Sequence, residues 1–168
     1  MIVENEEWIL GFLVGERGDY KNRTFMQMLG FSDVELEKCH DQIQWMFPLH
    51  EESLHARTYP VLTPSLVNQA RKSEKIQENM RKAVKRMSDF YGFTNDNRQK
   101  QRLWCKDFDH NLLRITRIIR SLRFFGLEEE AEKFYNEAIE SADYFCLSKV
   151  TVAYWWKAMH EDVWTSLK

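Results

Sequence analysis

The stretch His40-Asp41-Gln42-Ile43-Gln44-Trp45-Met46-Phe47-Pro48-Leu49 decides how this chain is read. A helix that only covers a core can be built from Leu, Ile and Ala, so His, Gln and Trp set among apolar residues ask for specific partners. Pro48 has no amide proton to continue a helix and restricts the residue before it, so the stretch reads as a helix's last turns. Upstream, Ser32-Asp33-Val34-Glu35 has the spacing of a capping box, in which each end side chain meets the other's backbone amide. The pattern predicts one signature helix from Ser32 to Phe47. Its apolar stripe passes through Leu36, Cys39, Ile43 and Phe47, with Cys39 as an inert core thiol. His40 and Gln44 lie one turn apart beside the stripe, and Asp41 and Trp45 form the next row. Ile43 and Phe47 are expected in the core, with His40 and Gln44 hydrogen-bonded to other protein groups.

Working outward, residues 4–14 read as a helix with acids in its first turn, where the helix dipole favours them. Residues 15–22 are polar, hold two Gly and read as a loop; a short helix over 23–29 ends at Gly30. On the other side, 48–62 is a loop expected to lie over the body of the domain. Thr63-Pro64 is a strong start signal for a helix to about Arg71. A longer helix from Ser73 to Tyr91 buries Ile76, Met80, Ala83, Met87 and Phe90 and stops at Gly92. Residues 93–107 are charge-rich and expected to be loop. Asp109 caps a helix from His110 to Phe125, 127–144 form an acidic amphipathic helix, and Ser148 or Thr151 opens a Trp-rich last one.

Six Gly and three Pro in 168 residues leave few turns, which excludes a sandwich or barrel. With no repeat or linker, the expectation is all-α: a single compact bundle of six to eight helices forming one domain over 1–168. A net charge of −2 gives no drive toward nucleic acid, which is not expected as a partner. Three cysteines without pair spacing read as reduced thiols. Glu4, Glu6 and Glu7 precede a short apolar run from Trp8 to Val14, so neither a signal peptide nor a transmembrane segment is expected. The chain is expected to be soluble and cytoplasmic, with the nucleus as the alternative in a eukaryotic cell.

The signature resembles the His-x-x-Ile-Gln-Trp-Leu-Phe-Pro-Leu motif of the opioid growth factor receptor conserved domain, with Met46 in place of the usual Leu. Val61-Leu62-Thr63, Phe90-Tyr91-Gly92, and His110-Asn111-x-x-Arg114-x-x-Arg117 continued by Ser121-Leu122-Arg123 match further strings in family order. Phe124-Phe125 stands where aliphatics are common. The resemblance is to short members without the C-terminal repeats of the eukaryotic receptors. It implies a helical, non-enzymatic binding module with a peptide or protein partner, of the enkephalin type in the named receptor, and no cofactor.

The helix from His110 carries the second informative pattern. Asn111, Leu112, Ile115, Ile118, Ile119 and Leu122 share one broad side, while His110, Arg114, Arg117 and Ser121 line another with Arg120 adjacent. No acid lies between Asp109 and Glu128, so these Arg have no partner within their own helix. Two readings stand. Either they pair with carboxylates elsewhere, such as Asp33, Asp41 or Glu128–Glu130, or they form a site for an anionic small molecule such as a nucleotide, since guanidinium suits bidentate phosphate or carboxylate recognition. The candidate ligand-binding residues are therefore His40, Asp41, Gln44, Trp45, His110, Asn111, Arg114, Arg117 and Arg120. No catalytic residue is assigned, and no His or Cys spacing suits a metal. Arg81-Lys82-x-x-Lys85-Arg86 reads as a solvated basic face, or as a nuclear import signal in a eukaryotic cell. Tyr154, Trp155, Trp156 and Trp164 read as packing, except that two adjacent Trp cannot both face one core, which leaves one as an anchor for a partner.

Overall fold

Helices start here after side chains that can accept the amides a first turn leaves unbonded. The computed structural model describes residues 2–3, 5–53 and 58–163. Asn5 accepts from the Trp8 amide to open α1 (Glu6–Val14). Thr24 and Gln27 form a capping box at α2 (Phe25–Leu29), and Ser32 and Glu35 form the expected one at α3 (Asp33–Lys38). After α4 (Gln42–Met46), Thr63 and Pro64 open α5 (Pro64–Lys72), followed by α6 (Glu74–Tyr91). Asn97, Asp109 and Ser148 then cap α7 (Arg98–Trp104), α8 (His110–Phe124) and α10 (Lys149–His160), with α9 (Glu128–Tyr144) between the last two. The fold is all-α. The strands among the described residues are two residues each: β1 (Ile2–Val3) pairs in parallel with β2 (Tyr59–Pro60).

Ten α-helices stand among the described residues, against the six to eight expected. One addition comes from the signature helix, which is broken. Cys39 is extended (φ −85°, ψ 108°), α3 closes with its amide on the Glu35 carbonyl, and the chain re-enters helix only at Gln42. The other is α7, inside the stretch expected to be loop. Its sequence is mostly polar, and two of its side chains anchor it: Trp104 Nε1 donates to the Tyr91 carbonyl (3.0 Å) and Gln101 Nε2 to the Gly92 carbonyl (3.0 Å). The 48–62 segment also departs from a draped loop. Its residues 58–60 are buried, and Leu62 donates to the Leu49 carbonyl (2.9 Å).

The chain forms two units, one up to Ala83 and one from Val84, the division falling within α6. In the first unit Phe12, Phe25, Leu36, Trp45, Phe47 and Leu66 are wholly buried. Glu6 in the first turn of α1 accepts from Thr63, Ser65 (3.0 Å) and Gln69 (3.3 Å), tying α1 to the start of α5. Buried Asn79 donates to the Leu13 (2.8 Å) and Val14 (3.0 Å) carbonyls, satisfying the exposed end of α1. The second unit is built on α8, against which α7, α9 and α10 pack. Tyr91, Phe93, Trp104 and Phe134 form its aromatic centre, with rings 5.1–6.0 Å apart.

Gly92 ends α6 at φ +76°, and a β-carbon there would lie 2.6 Å from the Asn97 carbonyl oxygen and 2.7 Å from Lys100 Cβ. Strain and clash act together, so Gly92→Ala is expected to cost about 2 kcal/mol or more in chemical denaturation. A loss within about 0.5 kcal/mol, the range of surface changes, would show that this turn adapts freely.

Candidate functional site

In the first unit the nine residues from Asp41 to Leu49 are all buried. A five-residue helix buried on every side has no solvent face, so each polar side chain in it must find a partner or lose hydration. Asp41 finds several. Its Oδ2 accepts from the Tyr20 hydroxyl and from Lys21 Nζ (2.6 Å); its Oδ1 accepts from Arg23 Nη1 (3.0 Å) and the Cys39 thiol (3.2 Å). Burial by itself would raise the Asp41 pKa, but the hydrogen bonds from Lys21, Tyr20, Arg23 and Cys39 outweigh it and hold the carboxyl well below the usual carboxylate range. Arg23 also serves Asp19, which is 2% exposed: Nε donates to Oδ2 (2.9 Å), Nη2 joins the same oxygen, and Oδ1 accepts the Lys21 and Arg23 amides, each at 2.9 Å. Burial opposes the charge on Arg23, and the two aspartates restore it, raising its pKa above the ordinary value.

This cluster explains the break in the signature helix. Cys39 and Asp41 are two apart, and on a helix such residues do not face each other. The extended backbone at Cys39 brings the thiol to the carboxylate, and Arg23 Nη1 reaches the same sulfur at 3.1 Å. Cys39 is thus half-buried in a charged cluster and lies on no apolar stripe, contrary to the expectation of an inert core thiol. Because its carboxylate is committed here, Asp41 makes no side-chain bond to the amides of α4. His40 sits in the bend and is exposed. The Gln44 amide, turned toward its acceptors, donates to the His40 (2.9 Å) and Asp41 (3.2 Å) carbonyls, and its other end lies 3.5 Å from the Ser53 hydroxyl. Trp45 Nε1 donates to the Thr58 carbonyl (3.1 Å), while its ring packs against Trp8 (5.5 Å), Phe12 (5.0 Å) and Tyr20 (6.5 Å). Ile43 and Phe47 are core, as expected. Gln42, fully buried, has neither amide atom bonded among the described residues.

Sequence reasoning missed Asp19, Tyr20, Lys21 and Arg23, which lay in a stretch read as polar loop or short helix. The available signal was an aromatic and three charges in five residues before a capping Thr. No periodicity connects them to Asp41, about twenty positions on.

In the second unit the candidates centre on Asn111. It is 1% exposed, accepts from the Tyr91 hydroxyl (3.3 Å) and Arg114 Nη1 (3.4 Å), and donates from Nδ2 to Asp109 Oδ1 (3.0 Å). Arg114 is buried, Arg117 and Arg120 are half-buried, and His110 is exposed beside Asp109. Leu113 is exposed. Arg123 is the Arg of this helix that closes the unit: its Nη1 donates to the Ala158 (2.8 Å) and Glu161 (2.7 Å) carbonyls at the end of α10, and its Nε pairs with Glu128 (3.2 Å). Cys105 lies 3.5 Å from the Ser141 carbonyl, and burial pushes its thiol up to about 12. All three cysteines are free, and no group of three potential ligands suited to a metal exists among the described residues. Nor is any described helix long and apolar enough to cross a membrane. Trp164 lies outside the described residues.

Together these features define an all-α protein organised around a buried signature segment and a long Arg-bearing helix. The chain belongs to the opioid growth factor receptor conserved-region family, whose model matches residues 19–161. It is 36% identical over 104 residues to the opioid growth factor receptor of Rattus norvegicus, covering 55% of this chain and 18% of that one. The Mus musculus receptor is 34% identical over 132 residues (65% and 20%), and the Homo sapiens receptor 38% over 104 (55% and 15%). The matches thus span no more than about a fifth of these relatives' length. No solved structure matches the chain.

Proposed function

We propose that this chain is a non-enzymatic binding module for a peptide or protein segment. The observation that carries the reading is Trp156. Its neighbour Trp155 is wholly buried and donates Nε1 to the Leu112 carbonyl (3.1 Å), whereas Trp156 is 51% exposed. It stacks on His160 (ring centroids 4.8 Å, planes 22° apart), which meets Tyr135 edge-on at 5.5 Å. A half-exposed Trp stacked on a ring that is itself held in place is pre-ordered, and ordered aromatics with one free face are typical interface anchors. The relatives' name, opioid growth factor receptor, supplies the class of ligand to test. Of the candidate residues, we assign Asp41, Gln44, Trp45, Asn111 and Arg114 a positioning role beneath the surface. To exposed His40 and His110 and half-buried Arg117 and Arg120 we assign contact with the partner.

Titration calorimetry of the full chain with the opioid growth factor peptide and with unrelated peptides tests this. Trp156→Ala is expected to weaken a peptide that binds by about tenfold or more, with the thermal midpoint unchanged, because removing an interface anchor costs about 2 kcal/mol. Equal binding by the variant would overturn the role of Trp156. Binding of a nucleotide in place of any peptide, lost in Arg117→Ala, would favour the anionic small-molecule site.

A further inference from the structure

Phe108, between α7 and α8, is 102% exposed and holds φ at +67°. A bulky residue rarely adopts this left-handed conformation, and a Phe in water forgoes the burial its ring favours. The turn that holds it is closed by the Asp109 amide on the Lys106 carbonyl (3.3 Å), but the fold leaves the ring wholly in solvent. Two hydrogen bonds tie segments that carry further exposed apolar residues to this loop and to α8. The Ser148 amide donates to Asp107 Oδ1 (3.0 Å), bringing the start of α10 to this loop, and Trp155 Nε1 on the Leu112 carbonyl fixes α10 along α8. Leu113, Val150 and Tyr154, within two residues of these tied positions, are 62%, 65% and 60% exposed. Leu103 on α7 is 73% exposed.

Three exposed cations lie in the same segments, beside Asp107 and Asp109. Lys106, between Leu103 and Phe108, has a side chain 65% exposed and only a loose contact with Asp109 at 3.9 Å. Arg102 and Lys149 are exposed and have no carboxylate partner among the described residues.

We propose that this end of the second unit docks on a bilayer surface containing anionic lipid. Phe108 enters the boundary between headgroups and acyl chains, its apolar neighbours follow, and Arg102, Lys106 and Lys149 rest on the phosphate layer with their aliphatic stems along the apolar patch. The five apolar side chains come from three helices and a loop with no shared periodicity, which suits neither a helix-in-groove nor a strand-addition partner; a fluid bilayer imposes no register. The patch is also independent of the peptide-binding reading, since Trp156 lies about 200° around α10 from Tyr154.

Co-sedimentation of the full chain with phosphatidylcholine vesicles, with and without about one-third phosphatidylserine, tests the proposal. The chain is expected to pellet with the anionic vesicles, to release them as salt rises, and to ignore pure phosphatidylcholine. Phe108→Ser should reduce partitioning about tenfold, the loss expected when one aromatic ring no longer inserts. Lys106→Glu with Lys149→Glu should abolish it. Phe108→Gly separates binding from folding: it relieves the positive φ, so it should raise the melting temperature while losing the vesicles. Trp156→Ala should bind vesicles like the parent chain. Absence of pelleting by the parent chain, or parent-like pelleting by Phe108→Ser, would overturn the proposal. So would a concentration-dependent dimer lost in Phe108→Ser, or tighter capture by an acidic polypeptide than by the vesicles.

Discussion

Asp41→Ala is expected to destabilise the chain by about 3–5 kcal/mol, because removing one partner of a buried ionic cluster leaves the others without charge compensation. Arg23 would keep only Asp19, while Tyr20, the Lys21 ammonium and the Cys39 thiol would lose the acceptor they share. Lys21 is about half-exposed and regains water, so the loss falls mainly on Arg23, whose side chain is 19% exposed. The same cluster sets a pH dependence. The folded-state pKa of Asp41 lies below its unfolded value of roughly 4, so its contribution is complete above that value. It is lost as pH falls from there through the folded value, where the carboxylate must take up a proton. Urea denaturation from neutral pH into acid should show the parent chain losing this stability below about pH 4, with Asp41→Asn lacking that part of the acid limb. A neutral-pH loss under about 1 kcal/mol for Asp41→Ala would place the cluster among surface ion pairs of little consequence.

Phe47→Ala should cost about 3–5 kcal/mol as well, through a different mechanism. Phe47 has no exposed surface and precedes Pro48, whose ring restricts the local backbone and limits how far the chain can collapse into the space left. Val34→Ala, at a residue 61% exposed on α3, serves as the control and should fall within about 0.5 kcal/mol. Equal, small losses at the two positions in chemical denaturation would show that the signature segment is not part of the core.

The helix starts at Ser32, Thr63, Asp109 and Ser148 were legible because capping is local: the side chain and the amide it serves lie two or three residues apart. The apolar face of α6 was legible for the same reason, since Ile76, Met80, Ala83 and Met87 repeat at helical spacing and are all buried. Helix α7 was not, because its order depends on Trp104 and Gln101 reaching carbonyls thirteen and nine residues back. Periodicity also failed across the signature, where the apolar spacing through Cys39 is that of one continuous helix. When every residue from Asp41 to Leu49 is buried, apolar spacing no longer identifies which face turns inward.

The sequence by itself singled out His40, Asp41, Gln44, Trp45, His110, Asn111, Arg114, Arg117 and Arg120 as candidates, because polar and bulky types set in an apolar frame need partners wherever they end up. It also determined the all-α class and the position of most helix starts, through interactions that span a single turn. Only the tertiary structure decided which partners they have: Asp41 with Tyr20, Lys21 and Arg23, Trp45 with Thr58, and Asn111 with Tyr91. It also decided that the chain bends at Cys39, that Trp155 is buried while Trp156 is not, and that Phe108 stands in solvent. Each of these rests on contacts between segments far apart in the chain, where a buried charge or ring selects the backbone conformation that completes its bonds over the one its local sequence prefers.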